Sequence, residues 1–198
     1  MEDFFAPQDD LRLEIAQAAA RLIAEDGYDY PSARQKAIKE LVGNRGLSRQ
    51  QIPLDEEVED EVRAYQQEYL SHCQPQELRA LRQIALSLMR ALADFEPIVY
   101  GACVNGTGSQ HSDLHLLAFA DNPKEIDYWL LNQNIDFEAC EDALLAGRSF
   151  PAVAFQWNER WVQLGTAHLH ERRGLLKGRA QTHLFQTDTA GLFNLLNE

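Results

Sequence analysis

Apolar residues in the first half of the chain recur at the spacing of one face of an α-helix. The first helix is predicted to begin at Asp9 or Asp10, either of which can cap it, and to stop at Gly27. Three further helices are predicted over residues 32–43, with Ser32 as the N-cap, 54–69 and 75–95. The apolar stripe of the last one is the longest in the sequence, so this helix is predicted to belong to the core.

After Glu96 and Pro97 the pattern changes to short runs rich in β-branched and aromatic residues, which is typical of strands. Strands are predicted over residues 98–104, 114–119, 135–139, 152–157 and 161–169, and a helix over 123–133. The short link at 158–160 predicts an antiparallel hairpin. The chain is therefore predicted to be α+β, with a helical part at 1–95 and a sheet-containing part at 96–198, as two domains or one compact unit.

The charge balance argues against one class of partner. The chain carries 31 acidic and 18 basic side chains, a formal net charge of -13, which repels polyanions. Binding to nucleic acid is therefore not expected. The three cysteines, Cys73, Cys103 and Cys140, are an odd number at wide spacing, which suits neither a disulfide framework nor a zinc site. Cys103 is predicted to lie in a strand as a buried, inert thiol.

The sequence predicts a cytoplasmic protein that does not enter the membrane. No apolar run approaches the ~20 residues that a bilayer-spanning helix needs. The start MEDFFAPQDD lacks the basic residues and apolar stretch of a secretory signal.

The stretch VNGTGSQHSDLHLLAF at 104–119 holds the candidate chemistry. Glycines in its first part predict a turn, directly after a strand, whose backbone amides could approach an anionic group. The candidate phosphate-binding residues are Gly106, Thr107, Gly108 and Ser112. Side chains alternate along the strand that follows, which predicts that Asp113 and His115 lie on one face beside the turn.

The arrangement of GT, a few residues and then SDLHL resembles the signature of the nucleotidyltransferase fold superfamily. In that superfamily a Gly-Ser or Gly-Thr turn ends one strand, and a pair of acidic residues lies on the next. Segments such as AARLIAEDGYDYPSARQKAIKEL and FADNPKEIDYWLLNQNIDFE are similar to a group of uncharacterised bacterial nucleotidyltransferase-like proteins. The resemblance implies a mixed β-sheet with flanking helices after the helical N-terminal part.

The resemblance also implies a site with divalent metal ions, which in active members are held by three carboxylates and draw charge off a nucleoside triphosphate. Asp113 matches the first carboxylate, His115 stands at the second position, and Gln163 matches the third. Mg²⁺ prefers oxygen ligands, whereas an imidazole suits Zn²⁺ better. Gly106 and Thr107 match the phosphate turn.

Two other interpretations of these residues stay open. His111, Asp113 and His115 form an H-x-D-x-H pattern that could bind a transition metal, and His168 and His170 could join them if their strand ends are neighbours. Alternatively, an Asp after a glycine-rich turn commonly stabilises that turn, and strand ends collect polar residues through solvation alone.

Three functions follow from the sequence. The first is a nucleotidyltransferase-like protein with a degenerate metal site, which binds a nucleotide or partner without efficient transfer. The second is an active metal-dependent nucleotidyltransferase that modifies a small molecule or a protein hydroxyl. The third is an interaction or antitoxin-like protein, with a homo-oligomer or a helical protein as the expected partner. Function depends on the site rather than on the fold.

Overall fold

The computed structural model describes residues 7–43, 46–177 and 186–197. It confirms the α+β class, with a helical N-terminal part and a mixed sheet. The chain divides into two compact units, Met1–Pro75 and Gln76–Glu198. The boundary lies near residue 75 rather than 95, because the fourth helix packs in the same core as the sheet: its Leu81 and Leu88 share a cluster with Leu116.

The first unit contains three helices, α1 (Pro7–Asp26), α2 (Tyr30–Val42) and α3 (Asp55–Tyr69). Its core combines alanines with larger apolar residues, for example Ala19 and Ala33 with Val58 and Val62. The N-cap of α2 is Asp29, whose carboxylate accepts a hydrogen bond from the Ser32 amide, so the prediction of Ser32 as N-cap was wrong. Asp29 lies at the extended residue that precedes the helix, where capping side chains act.

Acidic side chains in the first turn of α3 form ion pairs with arginines of α1 and α2. Arg12 of α1 donates from Nε to Glu57 at 2.8 Å, and Arg34 of α2 binds Asp55. The hydrogen bond from Arg12 holds the pKa of Glu57 below its usual value. These ion pairs join α1 and α2 to the helix whose positive N-terminal dipole already favours carboxylates.

The second unit begins with α4 (Gln74–Ala91) and combines a six-stranded sheet with further helices. The strands are β1 (Ile98–Tyr100), β2 (Leu114–Phe119), β3 (Phe137–Ala139), β4 (Ala143–Leu145), β5 (Arg148–Phe150), β6 (Ala152–Trp157), β7 (Arg160–Ala167) and β8 (Gln186–Asp188). The other helices are α5 (Ala102–Asn105), α6 (Lys124–Asn132), α7 (Arg172–Lys177) and α8 (Thr189–Asn197).

The large sheet has the order β3-β6-β7-β2-β1-β8. Only β2 and β7 pair in parallel, and every other neighbouring pair in this sheet is antiparallel. A parallel pair needs a crossover connection, and here the crossover contains α6, β3, the β4–β5 hairpin and β6.

The two faces of the sheet bury different clusters. On one face Val99, Leu116 and Leu164 pack with α4. On the other face Leu117 and Phe119 pack with residues of β4, β5 and α7. His115 and Gln163 belong to this second face, because side chains alternate along a strand.

Several boundaries differ from those predicted. The first strand ends at Tyr100, so the prediction of a strand over 98–104 was wrong after that residue: Gly101 turns the chain at φ 73° into the short helix α5. The strands β4, β5 and β8 were not predicted. The β6–β7 hairpin was predicted correctly, with Asn158 and Glu159 as its two loop residues, both at positive φ.

None of the helices in the described part of the chain is long and apolar enough to span a bilayer.

Arg82 of α4 caps two other helices. Its guanidinium donates from Nε to the Cys103 carbonyl at 2.9 Å and from Nη1 to the Leu195 carbonyl at 3.1 Å, near the ends of α5 and α8.

We expect Arg82→Met to lower the free energy of unfolding by about 2 to 3 kcal/mol, because charged hydrogen bonds to part-buried carbonyls are lost. Urea unfolding measures this. Arg79→Met, on the exposed side of the same helix, is the control, and equal stability of the two variants would contradict the capping role.

Candidate functional site

His115 and Gln163 lie opposite each other at the centre of the sheet. They are register partners of the parallel pair β2 and β7, and His115 Nδ1 lies 3.0 Å from Gln163 Oε1. The two positions to which the resemblance assigns metal-binding carboxylates are therefore neighbours in space. Both are filled by side chains that hydrogen-bond to each other, and neither is a carboxylate.

The orientation of the Gln163 amide determines the tautomer of His115. Gln163 Nε2 donates to the backbone carbonyl of Glu141 at 2.9 Å, and a carbonyl can only accept. Gln163 Oε1 therefore faces the imidazole as an acceptor, so Nδ1 of His115 carries the proton. In the neutral ring this leaves the lone pair on Nε2 as the one that could accept a hydrogen bond or bind a metal.

Tyr100 and Cys140 extend this polar group on the same face. Tyr100 is the register partner of His115 on β1, and the two ring centroids are 5.7 Å apart. Its hydroxyl is buried without a hydrogen-bond partner in the described residues, and this burial raises the pKa of Tyr100. Burial also raises the pKa of Cys140, while the Gln163 side chain lowers it through a hydrogen bond. Neither group is ionised near neutral pH.

Asp113 lies directly before β2, at the open end of this group. Its side chain is exposed, yet the surrounding protein removes enough water to raise the pKa of Asp113, an effect that His115 and Arg160 oppose. A raised pKa means that the carboxyl keeps its proton to a higher pH than usual. It is the one acidic residue among the three positions that the resemblance assigns.

The predicted phosphate turn has structural contacts of its own. Thr107 is 3% exposed, and both its amide and its hydroxyl donate to Asn105 Oδ1. Ser112 Oγ accepts from the Ser109 amide at 3.0 Å. A Cβ on Gly108 would lie 2.7 Å from Leu81 Cδ2, so this glycine permits close packing on α4. These contacts explain the turn without a ligand, and phosphate binding by Gly106, Thr107, Gly108 and Ser112 stays a prediction.

The glycine that ends the first strand was missed from the sequence. Gly106 and Thr107 follow α5, not a strand as predicted, and Gly106 closes that helix at φ 95°. The pair that directly follows β1 is Gly101 and Ala102. Ala102 has no hydroxyl, so this turn departs from the Gly-Ser or Gly-Thr pattern that the resemblance implies. The available signal was a glycine after only three strand-forming residues, Ile98, Val99 and Tyr100.

Cys103 lies in α5 rather than in the predicted strand. It is buried, as predicted, and burial raises the pKa of its thiol to about 12. A thiol with so high a pKa is a poor nucleophile.

The five histidine and aspartate residues considered as metal ligands do not converge. His168 and His170 follow the last residue of β7, whereas His111 and Asp113 precede the first residue of β2. Because these strands run parallel, the two groups lie at opposite ends of the strands. Within residues 7–43, 46–177 and 186–197, no group of three or more His, Cys, Asp or Glu side chains is arranged to hold a metal.

Comparison with known proteins adds no assignment: no family model, no curated protein and no solved structure matches this chain.

The close packing of Gly108 predicts the effect of one methyl group. We expect Gly108→Ala to lower the free energy of unfolding by about 1 to 3 kcal/mol, because the new Cβ meets Leu81 in a filled core. Chemical denaturation measures this. Gly174→Ala is the control, since a Cβ there meets nothing within 4 Å and Ala favours the helix α7. A Gly108→Ala protein as stable as the native one would show that the turn does not depend on this contact.

Proposed function

We propose that this chain is a nucleotidyltransferase-like protein that binds a nucleotide without transferring it efficiently. The observation that carries the proposal is the 3.0 Å hydrogen bond between His115 and Gln163. These side chains occupy two of the three positions that the resemblance assigns to metal-binding carboxylates. The polar side chains around this pair support ligand binding, and the residue types argue against the transfer chemistry.

The order of elements supports the nucleotidyltransferase resemblance. A strand, β1, ends in a glycine turn, the next strand, β2, begins directly after Asp113, and a later strand, β7, pairs with β2 in parallel and brings Gln163 beside His115. The resemblance assigns the third position to Gln163 on β7, which pairs with His115 on β2. Its place beside His115 is what a shared site requires.

The donor set does not fit Mg²⁺. That ion demands an octahedral set of oxygen ligands, usually with one or two carboxylates among them. Of the three positions only Asp113 supplies a carboxylate. Gln163 Oε1 already accepts a hydrogen bond from His115. Nε2 of His115 is a nitrogen ligand that suits Zn²⁺, but the described residues do not bring it together with two further metal ligands.

The alternative of an active enzyme needs a second carboxylate at the site, and the geometry offers none at the assigned positions. An interaction or antitoxin-like role, with a second copy or a helical protein as partner, stays the third proposal. It becomes the leading one if the protein binds no nucleotide.

The direct test combines binding with catalysis. Purified protein is titrated calorimetrically with ATP, GTP, CTP and UTP, each with Mg²⁺, Mn²⁺ or Zn²⁺, and is then incubated with the same labelled nucleotides to detect transfer to itself or to added acceptors. We expect binding of at least one nucleotide and no transfer above background. Mg²⁺-dependent transfer that Asp113→Asn abolishes would establish the active enzyme instead.

A variant with restored acids serves as the matched positive control. His115→Asp combined with Gln163→Asp places carboxylates at all three positions, so we expect this protein to gain Mn²⁺ binding, detected by electron paramagnetic resonance. Adding Asp113→Asn should remove the gain. If the folded triple-carboxylate protein binds no Mn²⁺, these positions do not form the site that the resemblance implies.

A further inference from the structure

Among the described residues, one part of the sheet face around Gln163 is left uncovered. At Gly165 the β4–β5 hairpin lies against the sheet, because a Cβ there would meet Ala143 Cβ at 2.7 Å. Trp161 lies four residues earlier on β7, which is about 13 Å along a strand. Its side chain is 48% exposed. The hairpin therefore covers one end of this face and leaves the end at Trp161 open to solvent.

Trp161 shares this open end with hydrogen-bonding side chains. By strand alternation Trp161 and Gln163 lie on the same face of β7. The register partner of Trp161 on β6 is Gln156, which is exposed. Leu114 of β2 pairs with Val162 of β7, so Asp113, the residue before Leu114, lies level with Trp161. Asp113 and Gln156 therefore flank Trp161 from the β2 side and the β6 side. We name these four residues, Trp161, Gln156, Gln163 and Asp113, the open shelf.

We propose that the open shelf binds an adenine base, stacked on Trp161 and hydrogen-bonded through its N6 and N7 edge by Gln156. This inference rests on the proposed function and names the part of the nucleotide that is recognised. An exposed indole presents a flat apolar surface of the kind on which bases stack. A carboxamide offers one acceptor and one donor side by side, which matches N6 and N7 of adenine.

The charges of the shelf favour the base over the phosphates. Asp113 is its acidic member, and the whole chain has a formal net charge of -13, so a triphosphate meets repulsion that a neutral nucleoside does not. Arg160 opposes the rise in the pKa of Asp113, and its guanidinium donates to the Gln110 carbonyl. Binding should therefore depend on the base and not on a metal-bound triphosphate.

The test compares adenosine with ATP. Equilibrium dialysis of the full chain is done with labelled adenosine and labelled ATP, each with Mg²⁺ and with a chelator. We expect adenosine to bind at least as tightly as ATP, with no loss in the chelator. Trp161→Ala should weaken adenosine binding about tenfold or more, the range measured for loss of one stacked base. Inosine, which replaces the N6 donor by an acceptor, should bind about tenfold more weakly.

Two variants serve as controls. Trp161→Phe keeps an aromatic surface and should retain most of the affinity, which separates stacking from a folding defect. Tyr128→Ala removes an aromatic residue of comparable exposure on α6, outside the shelf, and should leave adenosine binding unchanged.

The outcomes separate the two proposals. ATP binding that requires Mg²⁺, or adenosine binding that Trp161→Ala retains, would overturn the adenine shelf while nucleotide binding itself stands. Absence of binding for adenosine and for every triphosphate would overturn both proposals.

Discussion

The parallel pairing of β2 and β7 is the constraint on which the second unit depends. It aligns Leu116 with Leu164 in the core and, one residue earlier on the other face, His115 with Gln163. The same register that builds the core therefore builds the polar site. A slip of one residue would turn both sets of side chains to the wrong faces, so burial of the leucines fixes the geometry of the site.

The same pairing explains the connection between the two strands. Antiparallel neighbours can be joined by two residues, as β6 and β7 are, but parallel neighbours need a long crossover. Here the crossover supplies α6 to one face and the β4–β5 hairpin to the other. Glu141, within the crossover, offers the carbonyl that orients the Gln163 amide. The chain that closes the sheet thus also sets which atom of Gln163 faces His115.

Periodicity predicted the helices well, because α1, α3 and α4 each bury one stripe of side chains. It failed where a backbone conformation decides the structure. Gly101 at positive φ ends β1 after three residues, although Ala102, Cys103 and Val104 continue an apolar run that suits a strand. The β4–β5 hairpin was missed since its turn, Ala146 and Gly147, lacks the Asn or Asp that usually marks one.

The candidate site could be predicted in part. Asp113 and His115 are separated by one residue, so alternation alone predicted that they share one face. Gln163 was selected by the resemblance, as the polar residue within an apolar strand that matches the third position. The hydrogen bond between His115 and Gln163 could not be predicted, because it depends on strand order, and single strands contain no information on their neighbours. The contact between these two side chains depends on the fold, not on any local motif.

His115 and Gln163 hydrogen-bond to each other at two of the positions to which the resemblance assigns metal-binding carboxylates. Long-range proton–nitrogen correlation spectra of the imidazole test it most directly, with His115→Asn for assignment. We expect a proton on Nδ1 in the neutral ring, and resonances that do not move when Mg²⁺ is added in excess. A proton on Nε2, or a clear shift of the His115 resonances with Mg²⁺, would contradict it.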